Sequence, residues 1–217
     1  DKPFIRELRE DFAQAARNLL EAGVDGLYVH AAHSYLFGQF MGPAYNRRED
    51  EYGGSPANRC RLLLEVAKDV RDAVGDGLAV GVRLSYDEFV AGDQGITPSL
   101  SDEYLELLGA SGLFDFFDLS AGGYHSLHRA VPPMHVDEAH IASHAARAKA
   151  IVGDSAKIFV AGRVLSVATA ERLLLEGQTD MVGMTRAHIA DPFLVQKTLE
   201  GREDEIAVCV GSNECIV

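Results

Sequence analysis

The sequence predicts an α/β protein built on a parallel sheet, on three observations. Short apolar runs centred near residues 28, 81, 117, 159 and 182 alternate with longer segments of helical periodicity. The run Leu78–Leu84 (LAVGVRL) is almost continuously apolar, as a strand buried on both faces should be. Strand and helix alternate strictly, and that alternation implies parallel pairing.

Phe4, Leu8, Phe12, Ala15, Ala16, Leu19 and Leu20 recur at helical spacing, so residues 4–22 read as a helix ended by Gly23. Val24–His30 follows as the first strand. A polar, glycine-bearing segment leads to a helix that starts near Pro56 and carries Leu62, Leu63, Val66, Val70 and Val74 on one face. Gly75 and Gly77 break it before the strand Leu78–Leu84. Ser101–Leu108 is expected as a helix opened by Ser101, with acidic residues in its first turn. Leu113–Ser120 reads as a strand. Beyond Pro132 and Pro133, residues 137–152 read as a helix, Lys157–Ala161 as a strand, Ser166–Glu176 as a helix, Asp180–Gly183 as the last strand and Pro192–Leu199 as the last helix. Five such units do not close an eight-stranded barrel of about 250 residues. The sheet is therefore open, or the chain is the latter part of a barrel.

The chain has 217 residues and 47% hydrophobic content, enough for a core, and a formal net charge of −13. That charge argues against nucleic acid or an anionic membrane surface as partner, since both reward Lys and Arg. No apolar run approaches the roughly 18–20 residues that span a bilayer, and no signal-peptide pattern opens the chain. Three cysteines argue against a disulfide framework, which makes a reduced, cytoplasmic protein the default expectation.

Chemistry concentrates where strands end, because ligands of parallel α/β proteins bind at the carboxyl ends of strands. His30, His33 and Tyr35 fall within six residues at the end of the first strand. Paired imidazoles can hold a carbonyl or anionic oxygen, and a nearby tyrosine can give a proton. The His-x-x-His spacing also fits half a metal site, without a third ligand at matching spacing. Arg83, a guanidinium in an apolar strand, needs an anionic or hydrogen-bonding partner, and its place near the strand end favours a ligand over a structural ion pair. Gly162-Arg163 and Gly183-Met184-Thr185-Arg186 put glycine and arginine at two adjacent strand ends, a plausible phosphate cradle. Cys209 and Cys215 sit six apart around Ser212; thiolates so spaced can hold zinc or an iron–sulfur cluster, which takes four. Cys60 is expected to be a buried helix residue. His125, His128 and His135 are expected in solvent-exposed or structural roles.

The run His30-Ala-Ala-His33-Ser-Tyr35-Leu, with Gln39-Phe40, Pro43, Asn46, Arg48, Asp50, Tyr52-Gly53-Gly54, Asn58 and Arg59, resembles the Old Yellow Enzyme family of FMN-dependent oxidoreductases. The likeness is greatest to the branch containing 2,4-dienoyl-CoA reductase and trimethylamine dehydrogenase, and it extends through Arg83, Gly162-Arg163, Gly183–Arg186 and Ala190-Asp191-Pro192 to the cysteine tail. It implies a (β/α)8 TIM barrel of which this chain supplies the last five β/α units. Residues 1–203 would be a partial flavin-binding barrel and 204–217 the start of a cysteine-containing cluster segment.

By the same resemblance, His30 and His33 hydrogen-bond the substrate's activating oxygen over the flavin and Tyr35 donates a proton. Arg83 faces the pyrimidine edge of FMN, and Gly162, Arg163, Gly183, Thr185 and Arg186 hold its phosphate. Thr185 stands where many members have glycine, and Ser34 where ene-reductases usually have glycine. Ser212 occupies the second cysteine position of a Cys-x-x-Cys-x-x-Cys motif, which weighs against a complete [4Fe-4S] cluster on Cys209 and Cys215. The implied activity is reduction of an activated C=C bond in an unsaturated carbonyl or enoyl substrate, with NAD(P)H or another electron donor and a homo-oligomer as an open assembly. His30, a tyrosine on the amine-dehydrogenase side, favours the reductase over an amine dehydrogenase or demethylase. Outside the family stand a flavin-free phosphate-binding barrel lyase and an inactive fragment with two open sheet edges.

Overall fold

The computed structural model describes residues 2–216; Asp1 and Val217, the outer bounds of the two expected segments, lie outside the described residues. Five parallel strands lie side by side in sequence order: β1 (Gly26–Ala31), β2 (Ala79–Ser85), β3 (Phe116–Ser120), β4 (Lys157–Ala161) and β5 (Met181–Gly183). The connections run through α1 (Lys2–Glu21) ahead of β1, then α2 (Leu36–Met41) and α3 (Pro56–Val74), α4 (Pro98–Ala110), α5 (Leu127–Ala130) and α6 (Ala142–Val152), and α7 (Val167–Leu175). After β5 come α8 (Thr185–Ala190) and α9 (Leu194–Leu199). This is the expected parallel α/β architecture.

Register explains which side chains go where. Side chains alternate along a strand, so Val29, Val82, Phe117 and Ile158 form one cross-strand row, and Ala31, Leu84, Leu119 and Val160 the next. All eight are buried, in one core with Leu62, Leu63, Val66 and Val70 of α3. The opposite face carries His30, Arg83, Asp118, Phe159 and Met181 in register. That face is filled at its centre, where the Phe116 and Phe159 rings stack with centroids 4.6 Å apart. Gly81 is required beneath them, because a Cβ there would lie 2.3 Å from the Phe116 ring. At the edges Tyr28 (48% exposed) and Met181 (54%) meet solvent.

Helix ends depart from expectation where tertiary contacts intervene. α3 starts as expected, with the Ser55 hydroxyl accepting from Asn58 N at 3.3 Å and Pro56 in the first turn. Ser101, however, is not a cap. Thr97 caps α4, accepting from Leu100 N at 3.3 Å, and Pro98 opens the helix. Ser101 is buried one turn in, where its hydroxyl donates to Tyr86 O at 2.6 Å. The helix expected over 137–152 starts at Ala142, because Ala139 holds φ +54° and sends its N–H to Arg163 O at 3.1 Å. The strands expected from Val24 and Leu113 start at Gly26 and Phe116. Cys60 is buried in α3, and burial pushes its thiol pKa up to about 12. No helix among the described residues is long and apolar enough to cross a membrane.

Candidate active site

β1 delivers His30 at its carboxyl end, and the chain then reverses in a turn closed by Tyr35 N to Ala32 O at 3.2 Å. The two central residues, His33 and Ser34, both sit at positive φ, +58° and +59°. Such a conformation costs a non-glycine residue roughly 1–2 kcal/mol and persists only when contacts impose it. One such contact is His33 N donating to Ser85 Oγ at 2.8 Å; Ser85 in turn donates to Gly122 O at 2.7 Å.

The turn gathers the three expected residues. The ring of His30 lies 5.3 Å from those of both His33 and Tyr35, centroid to centroid. His33 Nε2 pairs with Ser120 Oγ at the end of β3, 2.7 Å away. Tyr35 is 51% exposed at the mouth, and Tyr124 lies beside it with rings 5.7 Å apart and hydroxyls 3.5 Å apart. Burial, with the positive charge of Arg83 and that of His30 when protonated adding to it, brings the His33 pKa down to about 4. Burial and Arg83 lower that of His30 as well. Both imidazoles are therefore neutral near pH 7.

Arg83 has a structural ion pair besides the ligand role expected of it. Its Nη1 donates to Asp118 Oδ2 at 2.8 Å on the neighbouring strand, at the matching register position. Burial raises the Asp118 pKa, against the pull of Arg83. The guanidinium is only half answered, because Arg83 Nε is buried with no partner.

Arg83, Gly162, Arg163, Gly183, Thr185 and Arg186 all border one cavity of about 190 Å³, which Ser120 joins to the histidine cluster. Arg163, at φ +55°, also has a buried and unpartnered Nε. Arg186 is not free: its Nη1 donates to Pro132 O at 2.8 Å and to Asn213 Oδ1 at 2.5 Å. Gly162 is needed for packing, since a Cβ there would lie 2.8 Å from Ile141 Cγ1. Arg83, Arg163 and Arg186 border the cavity together with Gly162 and Gly183, and that cationic, glycine-bearing lining suits an anionic, hydrogen-bond-accepting group such as the phosphate and pyrimidine edge of FMN.

The cysteine tail is tied to the same region. Asn213 Nδ2 donates to Val131 O at 3.1 Å, and Ile216 borders the cavity. Cys209 is half-buried and Cys215 exposed, both free thiols. No group of three or more His, Cys, Asp or Glu side chains converges on a common point among the described residues. They supply two of the four thiolates a [4Fe-4S] cluster takes, with Ser212 between, so a complete cluster does not fit them. His125, His128 and His135 are exposed, as expected. Sequence reasoning misses Ser120, Asp118 and Tyr124 as site residues; polar side chains at the carboxyl end of β3 are the available signal for the first two.

The model of the NADH:flavin oxidoreductase / NADH oxidase family matches residues 1–205. The chain is 39% identical over 215 residues to the multifunctional alkene reductase/demethylase OYE of Caballeronia cordobensis, covering 97% of this chain and 31% of that protein. It is 40% identical over 210 residues to N,N-dimethylglycine/sarcosine dehydrogenase of Chromohalobacter salexigens, covering 95% of this chain and 30% of that protein. Among solved structures, 2-naphthoyl-CoA reductase superposes with a TM-score of 0.89 at 31% identity, over 97% of this chain and 31% of that one. The chain thus spans less than a third of the length of these relatives. With its five parallel β/α units superposing on part of such an oxidoreductase, the chain belongs to the NADH:flavin oxidoreductase / NADH oxidase family of FMN-dependent oxidoreductases.

Proposed function

We propose that this chain is part of an FMN-dependent ene-reductase that reduces the activated C=C bond of an unsaturated carbonyl or enoyl substrate, with a nicotinamide nucleotide as electron donor. The observation that carries the reading is the convergence of His30, His33 and Tyr35, with 5.3 Å separating the His30 ring from each of the other two, beside a cavity lined by Arg83, Arg163 and Arg186. When bound, FMN supplies the two-electron redox chemistry. Gly162, Arg163, Gly183, Thr185 and Arg186 would hold its phosphate, and Arg83 its pyrimidine edge.

The residues of this chain polarise and protonate. In the tautomer in which His33 Nε2 accepts from the Ser120 hydroxyl, the ring proton sits on Nδ1, which can donate to the substrate's carbonyl oxygen alongside His30. Neutral imidazoles do this without placing a second cation beside Arg83. Charge that develops on the carbonyl oxygen is stabilised by these fixed donors. The Tyr35 hydroxyl gives its proton to the substrate carbon next to the carbonyl and recovers one from solvent through the neighbouring Tyr124 hydroxyl.

A second reading, dehydrogenation or demethylation of an amine, is supported by the paired exposed rings of Tyr35 and Tyr124, which suit an alkylammonium group. Titration with 4-hydroxybenzaldehyde, a phenol-type carbonyl mimic, tests the first reading. Replacing His30 and His33 with alanine is expected to weaken its binding at least tenfold; unchanged affinity would remove both histidines from the proposed role. Turnover of N-methylamines but not of enones would favour the second.

A further inference from the structure

We propose that Glu88 is a positioning residue for the His33–Tyr35 turn, acting through Ser34. The inference rests on the reading that His33 and Tyr35 face the substrate. Ser34 lies between them, 2% exposed and left-handed, so the turn must be held from behind. Its hydroxyl donates to Glu88 Oε1 at 3.1 Å and accepts from Tyr45 OH at 3.1 Å, while Gln39 Nε2 donates to Ser34 O at 2.8 Å.

Glu88 is itself fixed on every side. It is 1% exposed, and its Oε2 accepts from Ile96 N at 2.8 Å. Its own N–H donates to Ile96 O at 2.8 Å, and its carbonyl accepts from Ser126 Oγ at 2.5 Å. Gly123 closes the opposite wall: a Cβ there would lie 2.2 Å from Ser34 Oγ. The loops after β1, β2 and β3 therefore meet on one serine hydroxyl, a single residue from His33 on one side and Tyr35 on the other.

A buried carboxylate without a cationic partner is an expensive way to fill space. No ion pair to Glu88 occurs among the described residues, and burial raises its pKa, with the nearby His125 opposing and Asp87 adding to that rise. Its hydrogen bonds go to a backbone N–H and to Ser34. Placement of the turn is the function that explains a carboxylate at this position.

The test uses the full natural chain loaded with FMN, in Glu88→Ala, Ser34→Ala, Gly123→Ala and the conservative Glu88→Gln. Two readouts are taken: the His33 imidazole ¹H–¹⁵N signals, and calorimetric affinity for 4-hydroxybenzaldehyde. Misplacing a reacting group by about 1 Å costs about a hundredfold. The first three variants are expected to shift the His33 signals and weaken the mimic about ten- to a hundredfold while FMN stoichiometry holds, and Glu88→Gln to recover most of the loss. Wild-type His33 signals and affinity in FMN-loaded Glu88→Ala would overturn the proposal; if that variant does not fold, Ser34→Ala decides by the same criterion. If the wild-type protein fails to bind the mimic, the functional reading fails, and the His33 signals alone decide the role of Glu88.

Discussion

Protonation of His33 sets a measurable limit on both function and stability. Its pKa is lowered from 6.5 to about 4, chiefly by burial and then by Arg83. Such a lowering corresponds to about 3 kcal/mol against the charged form, and solvent screening of the half-buried ring brings the expected effect to about 2 kcal/mol. Because the folded value lies below the unfolded one, the unfolded chain takes up a proton first as pH falls. The stabilisation from keeping His33 neutral is therefore complete above pH 6.5 and is lost as pH falls towards 4. The assay is urea unfolding of wild type and His33→Gln at steps between pH 7 and 4, with the difference in free energy followed against pH. Wild type should lose about 2 kcal/mol more than the variant across that window. Arg83→Gln should raise the His33 pKa without restoring it, since burial remains. A His33 that titrates near 6.5 in the folded protein, with parallel stability curves, would refute the reasoning.

Two further outcomes follow from the sheet face below the site. Asp118→Ala should cost about 3 kcal/mol in denaturant unfolding, the low end for a broken buried pair because Arg83 keeps 23% side-chain exposure; Asp118→Asn should recover part of it through a retained hydrogen bond. Gly81→Ala should cost about 1–3 kcal/mol by overpacking, because the Phe116 ring it would strike is stacked on Phe159 and has no room to retreat; unchanged stability would mean that the stack yields easily.

Much of this was legible in the sequence, for reasons that differ by element. The strands around 28, 81, 117, 159 and 182 were visible because both faces, or one face and a packed centre, demand apolar residues. α3 was visible from its periodicity, with Pro56 marking its start. α2 was not: six residues with Gly38 inside a polar stretch carry no clear period. Ser101 looked like a cap because serine before acidic residues usually is one; the competing signal was Thr97-Pro98 a turn earlier. The five residues ahead of α6 carry a helical pattern but stay outside the helix because Ala139 bonds to Arg163, a contact no local pattern reveals.

The histidine cluster was readable because its residues are neighbours in sequence. The answer to Arg83 was not, since Asp118 meets it only through the β2–β3 register. The same holds for Glu88 and Ser34, 54 residues apart and joined by one hydroxyl.

The central claim is that the cavity beneath the histidine–tyrosine turn holds FMN, and a visible absorption spectrum of the purified natural protein, with acid release of its chromophore, tests it most directly. Oxidised-flavin bands and free FMN in the supernatant are expected, reduced severalfold in Arg163→Ala. A colourless protein that does not take up added FMN would contradict it.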